Sequence, residues 1–246
     1  MRSHSKSGSV NESMILLALN NHHFGDLSDK WKRHMKRMFK DVKDDDLIRV
    51  NYYEIKNAKP DLEIMVNTRR VLLSVKSGHA PTMHQEHIKT FFEFLRGLAV
   101  PENIIDIIAF YHYGYLLDKH QRILTREEIV KFYPEKIKMV NDYFNSNEDV
   151  MRELVYRSII RGRVKGDLID YFYYGNSARG FLLSVNDIFK LIINEENKYY
   201  ETLTFKQLTY VACSRDKNNP NRHSIKINWP VLCKYFYDEK FMKKYG

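Results

Sequence analysis

Apolar residues change their spacing several times along the chain, and each change marks an element. Ser9-Val10-Asn11-Glu12 has the form of a capping box, with Ser9 as N-cap and Glu12 three residues on; Met14, Ile15, Leu17 and Leu19 supply an apolar side behind it. This predicts a first helix starting at Ser9. A second is predicted over about 28–40, where Trp31, Met35, Met38 and Phe39 lie at helical spacing opposite Lys30, Lys32, Arg33, Lys36, Arg37 and Lys40. The period then shortens to two. Leu47 to Ile55 alternates, and Leu62–Val66 and Val71–Lys76 read as two further strands joined by a short turn.

Residues 82–161 read as mainly helical, with capping-box patterns at Thr82–Gln85 and Thr125–Glu128 and with Pro101 suited to a first helical turn. Strand spacing returns at 168–174, 179–184, 203–213 and 224–229, accompanied by helices at about 186–197 and 230–244. The pattern predicts an α/β protein with a mixed, mainly antiparallel sheet flanked by helices. No composition shift marks a linker. A single domain over 1–246 is expected, with a core at 1–100, a helical insertion at 101–160 and a β-rich C-terminal lobe at 161–246.

Composition narrows the class. With 246 residues, 43% hydrophobic and 29% charged, the chain is of ordinary globular make-up. Its longest apolar stretch, Ile104 to Tyr111, is interrupted by Asp106 and falls far short of the ~20 residues that a membrane span needs. Met1 to Glu12 lacks an apolar signal core, and Cys213 and Cys233 form no CxxC pair. A reduced, cytoplasmic protein with no membrane partner is expected. The net charge of +9 favours a polyanionic partner. His22-His23 and His84/His87 lack further ligands at zinc spacing. Tyr171-Phe172-Tyr173-Tyr174 reads as a half-buried strand more readily than as a base-stacking platform.

The chemistry-bearing stretch is Lys59-Pro60-Asp61-Leu62-Glu63-Ile64 followed by Leu73-Ser74-Val75-Lys76-Ser77-Gly78. Side chains alternate across a strand, so Asp61, Glu63 and Met65 share one face and Leu72, Ser74 and Lys76 share another. A turn at Thr68-Arg69 places Glu63 opposite Ser74 and Asp61 opposite Lys76. A register shifted by two keeps the same faces together. Carboxylates and a lysine therefore gather in either case. An aspartate such as Asp61 can hold Mg²⁺, a hard cation that prefers oxygen ligands, with the Val75 carbonyl and Glu63 as further ligands. A lysine beside it can orient the attacking water and steady negative charge on a phosphate. The same residues can equally form a cross-strand salt bridge.

A glutamate on an early helix, then Pro-Asp, then a strand ending in x-Val-Lys resembles the PD-(D/E)xK nuclease superfamily. The resemblance implies a restriction-endonuclease-like fold, with 1–100 as its catalytic core and 161–246 as its DNA-recognition lobe, and a metal-dependent site made by Glu12, Asp61, the position of Ser74, and Lys76. Ser74 departs from the usual acid. A branch of type II restriction endonucleases that cut short palindromes carries an amide there, and Glu63 could supply the missing carboxylate. Gly8-Ser9-Val10-Asn11-Glu12, residues 160–189, and Tyr210–Lys217 with Ser224–Ile227 also resemble segments of that branch. About half of the chain is covered.

The resemblance implies a Mg²⁺-dependent type II enzyme of a restriction-modification system. It would cut double-stranded DNA at specific sites to 5′-phosphate and 3′-hydroxyl ends. A structure-selective nuclease such as a junction resolvase, or an inactive DNA-binding module of the same fold, are the alternatives. Duplex DNA is the expected partner, and a homodimer is a further expectation. In this branch the segment after the catalytic strand reaches DNA; here it holds His84, Gln85, Glu86 and Lys89. Arg215, Lys217, Asn218, Asn219 and Arg222 lie in a polar ribbon tip suited to a major groove, or to a solvated turn. Arg161, Arg163 and Lys165, interleaved with glycines, suit phosphate contact or a helix C-cap. Lys32 and Arg33 suit diffuse phosphate attraction or a solvated face.

Overall fold

The computed structural model describes residues 6–78, 81–114, 123–164, 166–194 and 202–246. Two helices, α1 (Lys6–Leu19) and α2 (Asp29–Met38), precede strands β1 (Ile48–Tyr52), β2 (Leu62–Val66), β3 (Arg69–Lys76) and β4 (Thr82–His87). Helices α3 (Ile88–Gly97), α4 (Glu102–Tyr113), α5 (Arg126–Phe132), α6 (Pro134–Ser146) and α7 (Glu148–Val155) follow, the last continuing into a π-helical turn at Tyr156–Ile160. Then come β5 (Tyr171–Gly175), β6 (Gly180–Ser184), α8 (Val185–Ile193), β7 (Thr204–Phe205), β8 (Leu208–Ala212), β9 (Ser224–Asn228), α9 (Leu232–Tyr237) and α10 (Glu239–Tyr245). The protein is thus a mixed α/β fold with two mainly antiparallel sheets flanked by helices.

The chain divides into two compact units interleaved in sequence. One comprises Met1–Pro81, Ile159–Ile188 and Val231–Gly246; the other comprises Thr82–Ser158 and Phe189–Pro230. The units divide at Pro81/Thr82 and at Ser158/Ile159, the second close to residue 160, and again at Ile188/Phe189 and Pro230/Val231. Strand pairing sets the division: β5 returns to pair with β3, whereas β4 pairs with β9.

The first unit holds a sheet of order β1-β2-β3-β5-β6, antiparallel except for the β3/β5 pair. A parallel pair needs a long crossover, and the chain leaves β3 at Lys76 and returns only at Tyr171. β3 is central and buried on both faces, so it reads as a near-continuous apolar run, Val71-Leu72-Leu73-Ser74-Val75. Leu62, Ile64, Val66, Val71, Leu73 and Val75 form one core with Ile15 and Leu19 of α1 and Trp31, Met35 and Met38 of α2. The β2–β3 turn is Asn67-Thr68, not Thr68-Arg69, with Asn67 at φ 54°. Asparagine tolerates this left-handed conformation better than most side chains. The turn moves the register by two, pairing Leu62 with Leu73 and Glu63 with Leu72.

α1 begins by Lys6, so Ser9 is helical and cannot act as the extended-backbone N-cap that a capping box requires. The capping box at Thr125–Glu128 does form: Glu128 N–H donates to Thr125 Oγ1 at 3.1 Å, and Thr125 N–H donates to Glu128 Oε2 at 2.8 Å.

The second unit holds an antiparallel sheet of order β4-β9-β8-β7. Thr82–His87, expected to start a helix, is an extended strand: pairing with β9 overrides the local capping signature. Ile225, Ile227, Leu208, Tyr210 and Ala212 are buried on its inner face. Phe91, Phe144, Phe205 and Tyr210 pack ring to ring there. The buried carboxylate of Glu86 is held by Arg157 through Nε at 2.9 Å and Nη2 at 2.6 Å, and by His84 Nε2 at 3.0 Å.

Candidate active site

Pro60 has no N–H, so β2 cannot continue its ladder along β3 beyond Asp61. Val75 is left facing a gap in the ladder. The Asp61 carboxylate fills that gap: Val75 N–H donates to Asp61 Oδ2 at 2.8 Å, and the Ser74 hydroxyl donates to the same oxygen at 3.1 Å. Asp61 N–H donates to the Leu73 carbonyl at 2.9 Å, which fixes the aspartate backbone against β3. Lys76 Nζ stands 3.6 Å from Oδ2. The Asp61 side chain is 17% exposed and that of Lys76 is 30% exposed, so the pair is accessible but partly shielded. Asp61, Ser74, Val75 and Lys76 are thus gathered at the C-terminal end of β3.

Backbone N–H and C=O of one strand residue point the same way, so the Val75 carbonyl faces the same gap as the carboxylate. Pro60 offers it no donor. An oxygen-only set of carboxylate and carbonyl fits magnesium, which is commonly held through one or two carboxylates and keeps several waters. Among the described residues, no three His, Cys, Asp or Glu side chains converge as a larger metal-binding group.

Glu63 does not join this set. It pairs through its carboxylate with Arg70 Nε, and Arg70 Nη1 reaches Asp167 at 2.9 Å. These three line a cavity of about 300 Å³ with Tyr52, Tyr53 and Ile55, and Asp61 is not among its lining residues. Arg70 therefore neutralises the carboxylate expected to replace the acid at position 74. Glu12 is buried on α1. Ile15 and Leu19 of the same helix share a core with Leu73 and Val75, the β3 face opposite Ser74 and Lys76. Its neighbour Asn11 donates to the Gly175 carbonyl at 2.7 Å, where β5 ends. Because β3 and β5 run parallel with Lys76 beside Tyr174, α1 reaches the same end of the sheet as Lys76.

The residues expected to contact DNA divide into two sets. His84 and Glu86 are buried and bonded to each other, with Arg157 completing the network; they are inner-face residues of β4, not readers of bases. Burial raises the Glu86 carboxyl, but the hydrogen bonds and charges of His84 and Arg157 outweigh it and bring the pKa down to about 2. Arg215 is also committed internally. Its guanidinium donates to the carbonyls of Leu124 at 2.9 Å, His112 at 3.3 Å and Tyr111. Tyr111 and His112 belong to the last turn of α4, whose carbonyls lack helical partners. Asn219 Oδ1 caps the Asn221 N–H at 2.8 Å, and the Arg222 carbonyl accepts from His112 Nε2 at 2.7 Å.

Gln85, Lys89, Lys217 and Asn218 are exposed, as are Arg33, Arg161 and Arg163; Lys32 is half-buried. Lys165 lies outside the described residues. Gly162, at φ 75°, follows the helical turn ending at Ile160, and a Cβ there would meet the Lys59 side chain at 2.9 Å. Its freedom is used for a chain turn against Lys59. Lys30, expected on the solvated face of α2, turns inward: its ammonium donates to Tyr173 Oη at 2.9 Å and to the Ser177 carbonyl at 2.7 Å, 4.2 Å above the Trp31 ring. Burial and the neighbouring Arg33 push its pKa down to about 8. No local signal separates Lys30 from its neighbours, because its partners lie more than 140 residues away.

The chain matches no family model and no curated protein sequence. No helix among the described residues is long and apolar enough to cross a membrane.

Proposed function

We propose that the protein is a Mg²⁺-dependent endonuclease that hydrolyses double-stranded DNA at specific sites, of the type II restriction class. The observation that carries this reading is the Asp61 carboxylate held at a break in the β2–β3 ladder, with the Lys76 ammonium 3.6 Å away. The net charge of +9 agrees with a polyanionic substrate. Asp61 and the Val75 carbonyl are the groups that would hold the ion. A bound magnesium supplies Lewis-acid activation of the scissile phosphate and the attacking water. Lys76 Nζ orients that water and offsets the charge gathering on the non-bridging oxygens as the P–O3′ bond breaks. The Ser74 hydroxyl and Val75 N–H fix the carboxylate's orientation, and the remaining oxygen Oδ1 is available to the ion.

A sequenced plasmid incubated with Mg²⁺ provides the test. The wild-type chain should give discrete fragments ending in 5′-phosphate and 3′-hydroxyl, and Asp61→Asn and Lys76→Ala should each lower the cutting rate at least a hundredfold. Near wild-type cutting by either variant removes this site from the chemistry. Cutting confined to branched DNA would indicate a structure-selective nuclease. DNA retention without cutting would indicate an inactive binding module, the reading that the missing acid at Ser74 favours.

A further inference from the structure

Lys76 is the last residue of β3, and by that point the strand has lost one neighbour. The β2–β3 pairing ends at Leu62 and Leu73, whereas β5 stays alongside as far as Lys76, which lies opposite Tyr174. Opposed residues of a ladder share a face, so the Tyr174 side chain stands on the face that carries Ser74 and Lys76. Its ring is buried and packs on Phe181, its partner on β6, with centroids 5.2 Å apart, and on Phe236 of α9 at 5.9 Å. Its hydroxyl donates to the Gly78 carbonyl, two residues past Lys76. Burial pushes the phenol up to about 12, so the hydroxyl remains a donor at any working pH. Gly78 takes φ 93°, and a Cβ there would meet nothing within 4 Å. Backbone conformation, not space, therefore reserves the position for glycine.

We infer that Tyr174 is a positioning residue for Lys76: by holding the Gly78 carbonyl it fixes the path of the chain as it leaves β3, and so keeps the ammonium beside the Asp61 carboxylate. The inference rests on the reading of Asp61 and Lys76 as the cutting centre and names the group that sets the geometry of that centre. A lysine ammonium rides on a flexible four-carbon stem, so the backbone beneath it decides where it can reach. Here the short segment Lys76-Ser77-Gly78 is tied at both ends, at Lys76 by the β5 ladder and at Gly78 by the Tyr174 hydroxyl. The Tyr174 end is firm because β5 is itself anchored there. Asn11 of α1 donates to the Gly175 carbonyl at 2.7 Å, and the Lys30 ammonium donates to Tyr173 Oη at 2.9 Å. Freeing Gly78 would let the end of β3 drift, and the 3.6 Å approach of Lys76 Nζ to Asp61 Oδ2 would be lost for part of the time. Small displacements of a charge-stabilising group lower the rate of the chemical step more than they lower substrate affinity.

The test uses the full chain in excess over a plasmid fragment that wild type cuts. The single-turnover cutting rate is measured in Mg²⁺ and DNA affinity by gel mobility in Ca²⁺. Tyr174→Phe removes one hydroxyl and keeps the ring, so it should slow cutting about tenfold while DNA affinity stays within twofold of wild type. Gly78→Ala, which strains the backbone that presents the carbonyl, should slow cutting to a similar degree. The two changes together should be no slower than the slower single variant, since both break one contact. In a Lys76→Ala chain, Tyr174→Phe should alter the residual rate less than twofold, because its effect runs through the ammonium. Near wild-type cutting by Tyr174→Phe, or a further tenfold loss in the Lys76→Ala chain, overturns Tyr174 as a positioning residue and leaves the nuclease reading standing. A loss of DNA affinity as large as the loss of rate also overturns it. A wild-type chain that does not cut DNA overturns the nuclease reading, and this inference with it.

Discussion

The buried pairing of Glu86 with Arg157 and His84 makes the second unit's stability depend on pH in a calculable way. The Glu86 pKa falls from 4.5 to about 2 on folding, and the side chain is fully buried. Each tenfold change in proton affinity is worth about 1.4 kcal/mol, so ionised Glu86 contributes on the order of 3 kcal/mol to folding. A carboxylate with a depressed folded pKa contributes its full stability above the unfolded value of 4.5, and that stability is lost as pH falls toward 2. Glu86→Gln keeps the size but removes the charge, leaving Arg157 uncompensated in the interior. It should cost about 3 kcal/mol at pH 7, and the deficit should shrink steadily between pH 4.5 and 2 as wild-type Glu86 becomes protonated. The assay is urea unfolding across a pH series. The chain has two tryptophans, Trp31 in the first unit and Trp229 in the second, so a Trp31→Phe background lets Trp229 fluorescence report the second unit alone. A deficit at pH 7 that stays constant down to about pH 3 would refute the electrostatic account and leave a packing defect as the cause.

Arg215→Ala should cost about 2–3 kcal/mol, because three backbone carbonyls lose their donor, and Arg215→Lys should recover little since one ammonium cannot span them. The ratio of cognate to random DNA affinity should stay within twofold of wild type, and a collapse of that ratio in a fully folded Arg215→Ala would return Arg215 to the recognition surface. Glu63→Gln should leave the cutting rate within a few-fold of wild type, because Arg70 engages that carboxylate; a hundredfold loss in the plasmid assay would place Glu63 back in the site.

Local periodicity made much of the fold legible, and its failures share one cause. The alternation at Leu62–Val66, the apolar run at Val71–Val75 and the amphipathic spacing of Trp31, Met35 and Met38 are properties of short segments, and the structure contains both strands and the helix. Thr82–His87 misled because its capping-box letters are local, whereas its strand state depends on β9, about 140 residues downstream. The division into units was hidden for the same reason. It depends on β5 joining β3 and β9 joining β4, and neither pairing leaves a mark in composition or linker sequence.

The candidate site was legible where a single strand pair determines it. Alternation alone put Asp61 with Ser74 and Lys76 on one face, whichever register the turn selected. Glu63 shares that face by the same rule, yet what it does there is decided by Arg70, whose place on β3 follows from the turn at Asn67-Thr68, where Asn67 adopts the left-handed conformation. Arg215 shows the complementary case: a basic residue in a polar segment between strands looks available, but the unpaired carbonyls at the end of α4 claim it. Charge in sequence measures supply. Helix ends, buried carboxylates and broken ladders set the demand, and only the side chains left after that demand is met can meet a substrate. By that reasoning Lys76, at the end of β3, remains a candidate, while Arg157 and Arg215 do not.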